Sequence, residues 1–333
     1  MPRSKSKSDK FILYTLGDPA GIGPEILIDA LNSKKFLYTT HHLIVGDFTI
    51  IKKCNKRKKY NLRFKIINDC KNLKFDPGVI NVFDVCSGKK IQLGKPDEFT
   101  GYLSYKYLKL GAKIIHECSE QLQAIITLPV SKYHIRLAGY KFSGHTEFLQ
   151  REFNAPRVEM LFLTADFNLL LLTRHIPLKK VPERIKKEDL ISRLLFISRC
   201  YRRYFKIRPK IALLGLNPHA GERGLIGREE EEIFKPAIEK LKGKIYIRGP
   251  FASDGFFRNL KQLNFDLVIS CYHDQVLPLL KTVYPDAVNF TIGLPFLRFS
   301  PNHGPAFDIA GKCQADSSSL IQCIKYAIEL NAG

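Results

Sequence analysis

Three histidines stand at places where side chains commonly do chemistry, each directly after a short apolar segment. They are His175 in Thr-Arg-His-Ile-Pro, His219 in Asn-Pro-His-Ala-Gly and His273 in Cys-Tyr-His-Asp-Gln. Neutral imidazoles are the commonest metal ligands, and three ligands with an open fourth position form a catalytic metal site. A single histidine of this kind more often completes a local turn. The equivalent placement of all three makes a metal site the competing interpretation.

A second set of residues suits an anionic substrate. The segment Gly144–Glu147 is expected to begin a helix, with Thr146 near the N-cap and backbone N–H groups free to bind an anion. Lys281, Asn289 and Arg298 follow the last of the three histidines within one stretch. Arg298 lies in an otherwise apolar context, whereas Lys281 is also explained as a solvated surface lysine.

A glycine-rich turn, Gly17–Gly23, follows the first apolar segment. Its spacing is G-x-x-x-G-x-G, which is neither the dinucleotide fingerprint G-x-G-x-x-G nor a phosphate-binding loop ending in Lys-Ser/Thr. We therefore interpret it as a tight turn from a strand into a helix, with backbone N–H groups exposed near an active site.

Apolar strands alternate with amphipathic helices along the chain, which predicts an α/β fold with a mainly parallel sheet covered on both faces. The polar clusters follow strand ends, and ligands of such sheets bind outside the carboxyl ends of the strands. The run 160–173 is predicted to form a hairpin of two buried strands. The other predicted strands are 11–16, 42–45, 124–128, 210–216, 244–247 and 265–270. One predicted helix begins at Pro24, and the others cover 101–121, 188–204, 228–241 and 315–330.

The chain is strongly basic, with 53 Lys and Arg against 32 Asp and Glu in 333 residues. Nucleic-acid binding through the run Lys52–Lys59 is one explanation, but the other basic residues are dispersed and no nucleic-acid motif accompanies them. A compositional bias at surface positions explains the charge more simply, and a positive field would also help to capture an anionic substrate.

The eight cysteines include no C-x-x-C pair, which argues against a cysteine zinc site and favours reduced thiols. No apolar run is long enough for a secretion signal or a membrane span. The expectation is a cytoplasmic protein that binds neither membranes nor nucleic acid.

Seven segments together resemble the family of 4-hydroxythreonine-4-phosphate dehydrogenases, enzymes of pyridoxal phosphate biosynthesis. Each segment is short, but they occur in the family's order from about residue 11 to about residue 312, so the resemblance covers almost the whole chain. The segments are Gly17–Glu25, Leu128–Lys132, Gly144–Phe148, Leu216–Glu222, Ser253–Phe257, Tyr272–Gln275 and Asn289–Gly304.

The resemblance implies a fold similar to isocitrate and isopropylmalate dehydrogenases: two α/β/α domains with the active site in the cleft between them. Residues 1–128 and 305–333 would form the first domain, and residues 129–304 the second, which would carry the metal ligands and the dimer interface. It also implies a homodimer with each active site at the subunit interface. The implied ligands are His175, His219 and His273 for a divalent zinc, magnesium or cobalt ion, and His145, Thr146, Lys281, Asn289 and Arg298 for the substrate.

The implied reaction is NAD- or NADP-dependent oxidation of 4-phosphohydroxy-L-threonine at C3, followed by decarboxylation. The metal would hold the C3 hydroxyl, and hydride would pass to the nicotinamide. Asp254 and Asp274 are candidates for the base; Asp254 lies among apolar residues and is therefore expected to need a partner or to have a shifted pKa. The alternative is a related metal-dependent dehydrogenase of another phosphorylated hydroxy acid, such as a four-carbon sugar-acid phosphate.

Overall fold

The computed structural model describes residues 10–69, 73–85 and 88–330. These residues divide into two compact units: the first contains the residues up to Val158 and from Leu294 onward, and the second is Glu159–Gly293. The predicted boundaries at 128/129 and 304/305 differ from this division. Residues 129–158 and 294–304 pack with the first unit because strand Leu297–Pro301 pairs with Leu122–Thr127, and helix Lys132–Leu137 packs on Glu98–Cys118.

Strands and helices alternate along the first unit, as predicted. Strand Phe11–Thr15 is fully buried, and Pro24 lies in the first turn of the helix that follows, where the N–H that proline lacks has no partner in the helix. The elements of this unit before residue 158 are β1 (Phe11–Thr15), α1 (Gly23–Leu31), α2 (Lys34–Thr39), β2 (His41–Gly46), α3 (Phe48–Arg57), β3 (Arg63–Ile67), β4 (Val79–Asp84), α4 (Glu98–Cys118), β5 (Leu122–Thr127), α5 (Lys132–Leu137) and α6 (His145–Glu152).

The second unit begins with the predicted hairpin, whose two strands pair antiparallel. Its elements are β6 (Glu159–Leu163), β7 (Asn168–Leu171), α7 (Val181–Arg184), α8 (Lys187–Phe205), β8 (Lys210–Leu214), α9 (Lys235–Leu241), β9 (Tyr246–Phe251), α10 (Ser253–Arg258), α11 (Leu260–Leu263), β10 (Leu267–Ser270), α12 (His273–Val283) and β11 (Val288–Ile292). The chain then returns to the first unit with β12 (Leu297–Pro301) and α13 (Ser318–Glu329).

The strands of the first unit are all parallel and lie in the order β3-β4-β2-β1-β5-β12. Those of the second unit lie in the order β11-β6-β7-β10-β8-β9, in which β7, β10, β8 and β9 are parallel and the other pairs antiparallel. This confirms the mainly parallel α/β fold. The central strands are buried on both faces, so apolar runs rather than alternating patterns encode them.

The glycine-rich turn of the first unit lies against the loop after β5. Gly17 has a φ of 72°, and a Cβ at this position would stand 2.3 Å from the carbonyl oxygen of Pro129. The next residue, Asp18, donates its backbone N–H to that same oxygen at 2.8 Å. Glycine is required here because the loops after two adjacent parallel strands touch through their backbones.

Asp18 is fully buried beneath this turn. One carboxylate oxygen accepts the N–H of Ala20 at 3.0 Å, and the other is buried without a hydrogen-bond partner in the described part of the chain. Burial raises the pKa of Asp18 to about 6, although the hydrogen bonds from Ala20 and Thr100 act in the opposite direction. The folded state therefore binds a proton more tightly than the unfolded state does.

We expect Asp18→Asn to be more stabilising at pH 7.5 than at pH 4.5. The wild type loses stability as pH rises from the pKa of Asp18 in the unfolded state to its value of about 6 in the folded state, because the folded protein must ionise a buried carboxyl group. The side-chain amide of the Asp18→Asn variant does not ionise, so the variant does not lose stability in this way. The advantage of the variant should grow by roughly 2 kcal/mol across this window. Urea unfolding at the two pH values measures it, and an advantage that does not change with pH would contradict the assignment.

Two basic residues of the run Lys52–Lys59 contact other parts of the first unit and so stabilise its fold. Lys58 pairs with Asp29 at 2.7 Å, and an Nη of Arg57 donates to the carbonyl oxygen of Gly311 at 2.7 Å. Cys54, in the same run, is buried on the inner face of α3. None of the helices in the described ranges has the length and apolar character needed to cross a membrane.

Candidate active site

The three histidines follow three neighbouring parallel strands of the second unit. Strand β10 lies between β7 and β8 and pairs parallel with both. His175 comes four residues after the end of β7, His273 three residues after β10, and His219 five residues after β8. All three therefore leave the sheet at the same edge, which is where ligands of parallel sheets bind.

His175 and His273 lie next to each other. Their ring centroids are 5.5 Å apart, with 45° between the ring planes, and both residues line one small cavity with Thr173, Arg174 and Tyr272. Two imidazoles bound at tetrahedral angles to one ion, with metal–nitrogen distances near 2.1 Å, would have centroids about 5 Å apart. The spacing of this pair therefore fits a shared metal ion.

His219 does not complete the group within a single chain. Within residues 10–69, 73–85 and 88–330, no three His, Cys, Asp or Glu side chains are placed to hold one ion. His219 is exposed on a loop in which residues 219–223 all have positive φ angles. The structure thus brings together two of the three predicted ligands and places the third at the end of the neighbouring strand β8.

The side chain of Gln275 links the carboxyl ends of strands β10 and β8 through hydrogen bonds. Its Oε1 accepts the backbone N–H of Cys271 at 2.7 Å and the hydroxyl of Ser270 at 2.8 Å. Its Nε2 donates to the carbonyl oxygen of Gly215 and to the hydroxyl oxygen of Ser253, both at 2.7 Å. One amide therefore fixes the starts of the loops that carry His219, His273 and Asp254.

Replacing Gln275 by leucine should destabilise the second unit by roughly 2–3 kcal/mol, because it leaves the Cys271 N–H and the Gly215 carbonyl without their partner. Urea unfolding checks this, with Gln262→Leu as the control, since Gln262 is an exposed glutamine of α11. Equal stability of the two variants would show that the network does not hold the strand ends.

The expectation that apolar residues enclose Asp254 is wrong, because its side chain is exposed. Asp254 is the second residue of helix α10, and the 100° turn per residue carries Phe256, rather than Asp254, into the core. Asp274 is also exposed, and its Oδ1 lies 3.3 Å from Nδ1 of His273. Both carboxylates are open to solvent, and Asp274 is the one in contact with a predicted ligand.

The two other predicted substrate residues of the second unit differ in their surroundings. Lys281 is exposed in the last turn of α12, about 12 Å along the helix axis from His273. Asn289 lies in β11; its amide nitrogen is 3.0 Å from the sulfur of Met160, and its Oδ1 is buried without a hydrogen-bond partner among the described residues. A buried acceptor of this kind is suited to a donor from a ligand.

In the first unit, Arg298, which is predicted to bind the substrate, is buried beside two threonine hydroxyls. Nε and Nη2 of Arg298 donate to the hydroxyl of Thr127 at 3.2 and 2.7 Å, and Nη1 donates to the hydroxyl of Thr146 at 3.4 Å. Arg298 is only 3% exposed, and burial lowers its pKa to about 10. The guanidinium thus stays charged at neutral pH and is fixed in orientation, as recognition of a phosphate or carboxylate requires.

His145 lies beside this arginine at the start of α6. Burial and the positive charges of Arg298 and Lys132 hold the pKa of His145 well below its ordinary range, so the imidazole is neutral at pH 7. Its Nε2 is buried and has no hydrogen-bond partner in the described residues. Thr146 lies inside the first turn rather than at the N-cap, which is Gly144. The neutral ring offers a donor or an acceptor to a bound anion.

Sequence reasoning missed Thr127, Lys132 and Gln275 as site residues. Thr127 is the last residue of β5, directly before the quoted segment Leu128–Lys132, which itself contains Lys132. Position at the carboxyl end of a parallel strand could have identified Thr127. The role of Gln275 depends on side-chain contacts to four other residues, and spacing carries no signal for them.

Comparison with known proteins places the chain in one family over nearly its full length. Residues 38–327 match the family model described as "Pyridoxal phosphate biosynthetic protein PdxA". The chain is 39% identical to the 4-hydroxythreonine-4-phosphate dehydrogenase of Sulfurihydrogenibium sp. (strain YO3AOP1), covering 96% of this chain and 98% of that protein. It is 34% identical to the D-threonate 4-phosphate dehydrogenase of Salmonella typhimurium, covering 96% and 99%.

A crystal structure of the 4-hydroxythreonine-4-phosphate dehydrogenase from Klebsiella pneumoniae superposes with a TM-score of 0.84. It is 32% identical in sequence, and the match covers 98% of each chain. Fold and sequence thus agree over nearly the full length of the described protein. The chain belongs to the PdxA family, a family of dehydrogenases of pyridoxal phosphate biosynthesis.

Proposed function

We propose that this enzyme oxidises 4-phosphohydroxy-L-threonine at C3, with NAD or NADP as hydride acceptor and with a divalent metal ion. The product, 2-amino-3-oxo-4-phosphooxybutanoate, is a β-keto acid that loses carbon dioxide to give 3-amino-2-oxopropyl phosphate. The observation that carries the proposal is the placement of His175, His219 and His273 after three neighbouring parallel strands, in a chain related to dehydrogenases of phosphorylated hydroxy acids.

His175, His219 and His273 are proposed to hold the metal, which we expect to be zinc, magnesium or cobalt. A divalent ion at this place would act as a Lewis acid toward the hydroxyl and carbonyl oxygens of the substrate. Support comes from the spacing of His175 and His273 and from the preference of these metal ions for imidazole nitrogen ligands. Asp274 or Asp254 would accept the hydroxyl proton, and Asp274 is favoured by its contact with His273.

Arg298, Thr146 and His145 are proposed to bind the anionic groups of the substrate, together with Asn289 and Lys281. The guanidinium supplies charge, and the two threonine hydroxyls set its plane. Neutral His145 and the buried Oδ1 of Asn289 supply hydrogen-bonding positions that the described protein leaves open. These residues would orient the substrate, and the nicotinamide of a bound NAD or NADP would supply the hydride-accepting chemistry.

We further propose that the enzyme is a homodimer with its active site at the subunit interface. Among its described residues a single chain assembles two of the three histidines, and a second copy would supply the third ligand in the proposed dimer. We place the reaction in the cytoplasm, where six cysteines that are free thiols in the structure would remain reduced.

A direct assay tests the substrate. NADH or NADPH formation is measured with 4-phosphohydroxy-L-threonine and with D-threonate 4-phosphate, with and without added Zn²⁺, Mg²⁺ or Co²⁺. The higher kcat/KM is expected for the amino-acid phosphate, because identity is 39% to a relative named for it and 34% to one named for D-threonate 4-phosphate. Exclusive turnover of D-threonate 4-phosphate would establish the alternative, and no turnover of either would refute the proposal.

A further inference from the structure

Glu230 is a fully buried glutamate behind the loop that carries His219. Its Oε1 accepts the backbone N–H of Asn217 at 2.8 Å, and its Oε2 accepts the side-chain amide of Asn217 at 2.9 Å. The neighbouring Glu229 accepts from the same amide at 2.8 Å. The carboxylate of Glu230 thus accepts hydrogen bonds from both the main chain and the side chain of Asn217, two positions before His219.

The loop that Glu230 holds has an unusual backbone. Residues 219–223 have φ angles of 52°, 51°, 76°, 42° and 58°, and four of these five residues are not glycine. Left-handed conformations cost roughly 1 kcal/mol for each such residue, so the loop needs contacts that enforce its shape. A Cβ at Gly221, the one glycine among the five, would stand 2.6 Å from Oε2 of Glu230.

Glu230 also begins a single π-helical turn, Glu230–Phe234, directly before α9. Such turns are rare and occur frequently at functional sites, because the extra residue redirects a side chain. Phe234, at the end of the turn, is buried in the core, so the turn lets Glu230 face the loop while Phe234 packs. An apolar residue would fill the place of Glu230 without the cost of burying a carboxylate.

We propose that Glu230 is a positioning residue that fixes the left-handed loop so that the imidazole of His219 is presented to the metal. The inference rests on the proposed function, because it assumes that His219 is a ligand. In Glu230→Gln the amide NH2 would face that of Asn217, so one of the two hydrogen bonds is lost and the loop is released.

Co²⁺ binding to the full-length metal-free enzyme, followed by titration calorimetry, tests this role. Glu230→Gln should weaken binding by about 10- to 100-fold, as loss of a residue supporting a metal ligand typically does. Glu232→Gln is the matched control, because Glu232 is exposed two residues further along the same turn, and it should bind Co²⁺ like the wild type. Circular dichroism establishes that each variant is folded, and Asn217→Ala replaces Glu230→Gln if the latter fails to fold.

His219→Ala in the same titration separates the two hypotheses. If His219→Ala binds Co²⁺ like the wild type, His219 is not a ligand and the proposed metal set is wrong. If His219→Ala weakens binding while folded Glu230→Gln, or Asn217→Ala in its place, does not, the metal set stands and the positioning role is overturned. Weakening by both, with Glu232→Gln unchanged, supports the role of Glu230.

Discussion

Replacing either His175 or His273 by alanine is expected to lower kcat/KM for the phosphorylated substrate by about 1,000-fold or more, equivalent to roughly 4 kcal/mol of transition-state stabilisation. The two rings lie 5.5 Å apart at the ends of adjacent parallel strands, so either loss removes half of the pair that the structure assembles. Neither ring belongs to the core: His175 is exposed and His273 half-buried.

The measurement combines initial rates with bound metal determined by elemental analysis. Both variants should retain the wild-type midpoint of unfolding in the metal-free state and lose stoichiometric metal. His116→Ala is the control, because His116 is exposed on α4 of the first unit and stacks on Phe153. A His175→Ala enzyme with full activity and full metal content would remove that residue from the ligand set.

Replacing Arg298 by methionine should strongly weaken productive substrate binding without unfolding the protein. The expected change is a decrease in kcat/KM of about 100- to 1,000-fold, because a charged bidentate contact to a phosphate or carboxylate is lost. Stability should stay constant or rise, since methionine avoids the cost of burying a guanidinium whose pKa burial lowers to about 10. Steady-state kinetics and thermal unfolding measure the two effects separately.

Arg193→Met provides the contrasting control. Arg193 forms a bidentate ion pair with Glu159 at 2.7 and 2.8 Å, and Glu159 is 4% exposed. Its loss leaves a buried carboxylate without this partner and should lower stability by about 3–5 kcal/mol. If Arg298→Met behaves like Arg193→Met, with lost stability and ordinary substrate affinity, then Arg298 is a structural residue and not a substrate ligand.

The sequence predicted the fold class and the strand-end placement of the histidines because both depend on local pattern. Continuous apolar runs mark strands buried on both faces, and the residue that follows such a run must leave the sheet at its carboxyl end. The strand order β7-β10-β8 could not be predicted from local sequence pattern. It depends on which strands pair, and these pairs join segments up to about 100 residues apart.

The wrong prediction for Asp254 has a local physical cause. Asp254 was expected to be enclosed because four of its neighbours in sequence are apolar or aromatic, but a helix turns consecutive residues to different sides. The domain boundary at residue 128, which follows from the family resemblance, differs from the division of the structure into compact units. The structure keeps residues up to 158 with the first unit, since α5 and α6 pack on it and Thr146 contacts Arg298 of the returning strand β12.

The buried polar residues near the site, Glu230 and Asn289, could not be identified as buried from the sequence. Glu230 lies in a run of four glutamates, Glu229–Glu232, and nothing in the composition of that run distinguishes the buried member from the exposed ones. The π-helical turn selects it by changing the register of the helix. Asn289 is similar, because the absence of a partner for its Oδ1 in the described residues is visible only in three dimensions.

The central claim is that this enzyme is a dehydrogenase that needs a divalent metal held by His175, His219 and His273. The most direct test is to follow NADH formation with 4-phosphohydroxy-L-threonine, using enzyme stripped of metal by a chelator and then dialysed. We expect no turnover in the stripped enzyme, recovery on addition of one equivalent of Zn²⁺ or Co²⁺ per chain, and no recovery in a His175→Ala/His273→Ala variant. Full turnover by enzyme shown to contain no metal would contradict this claim.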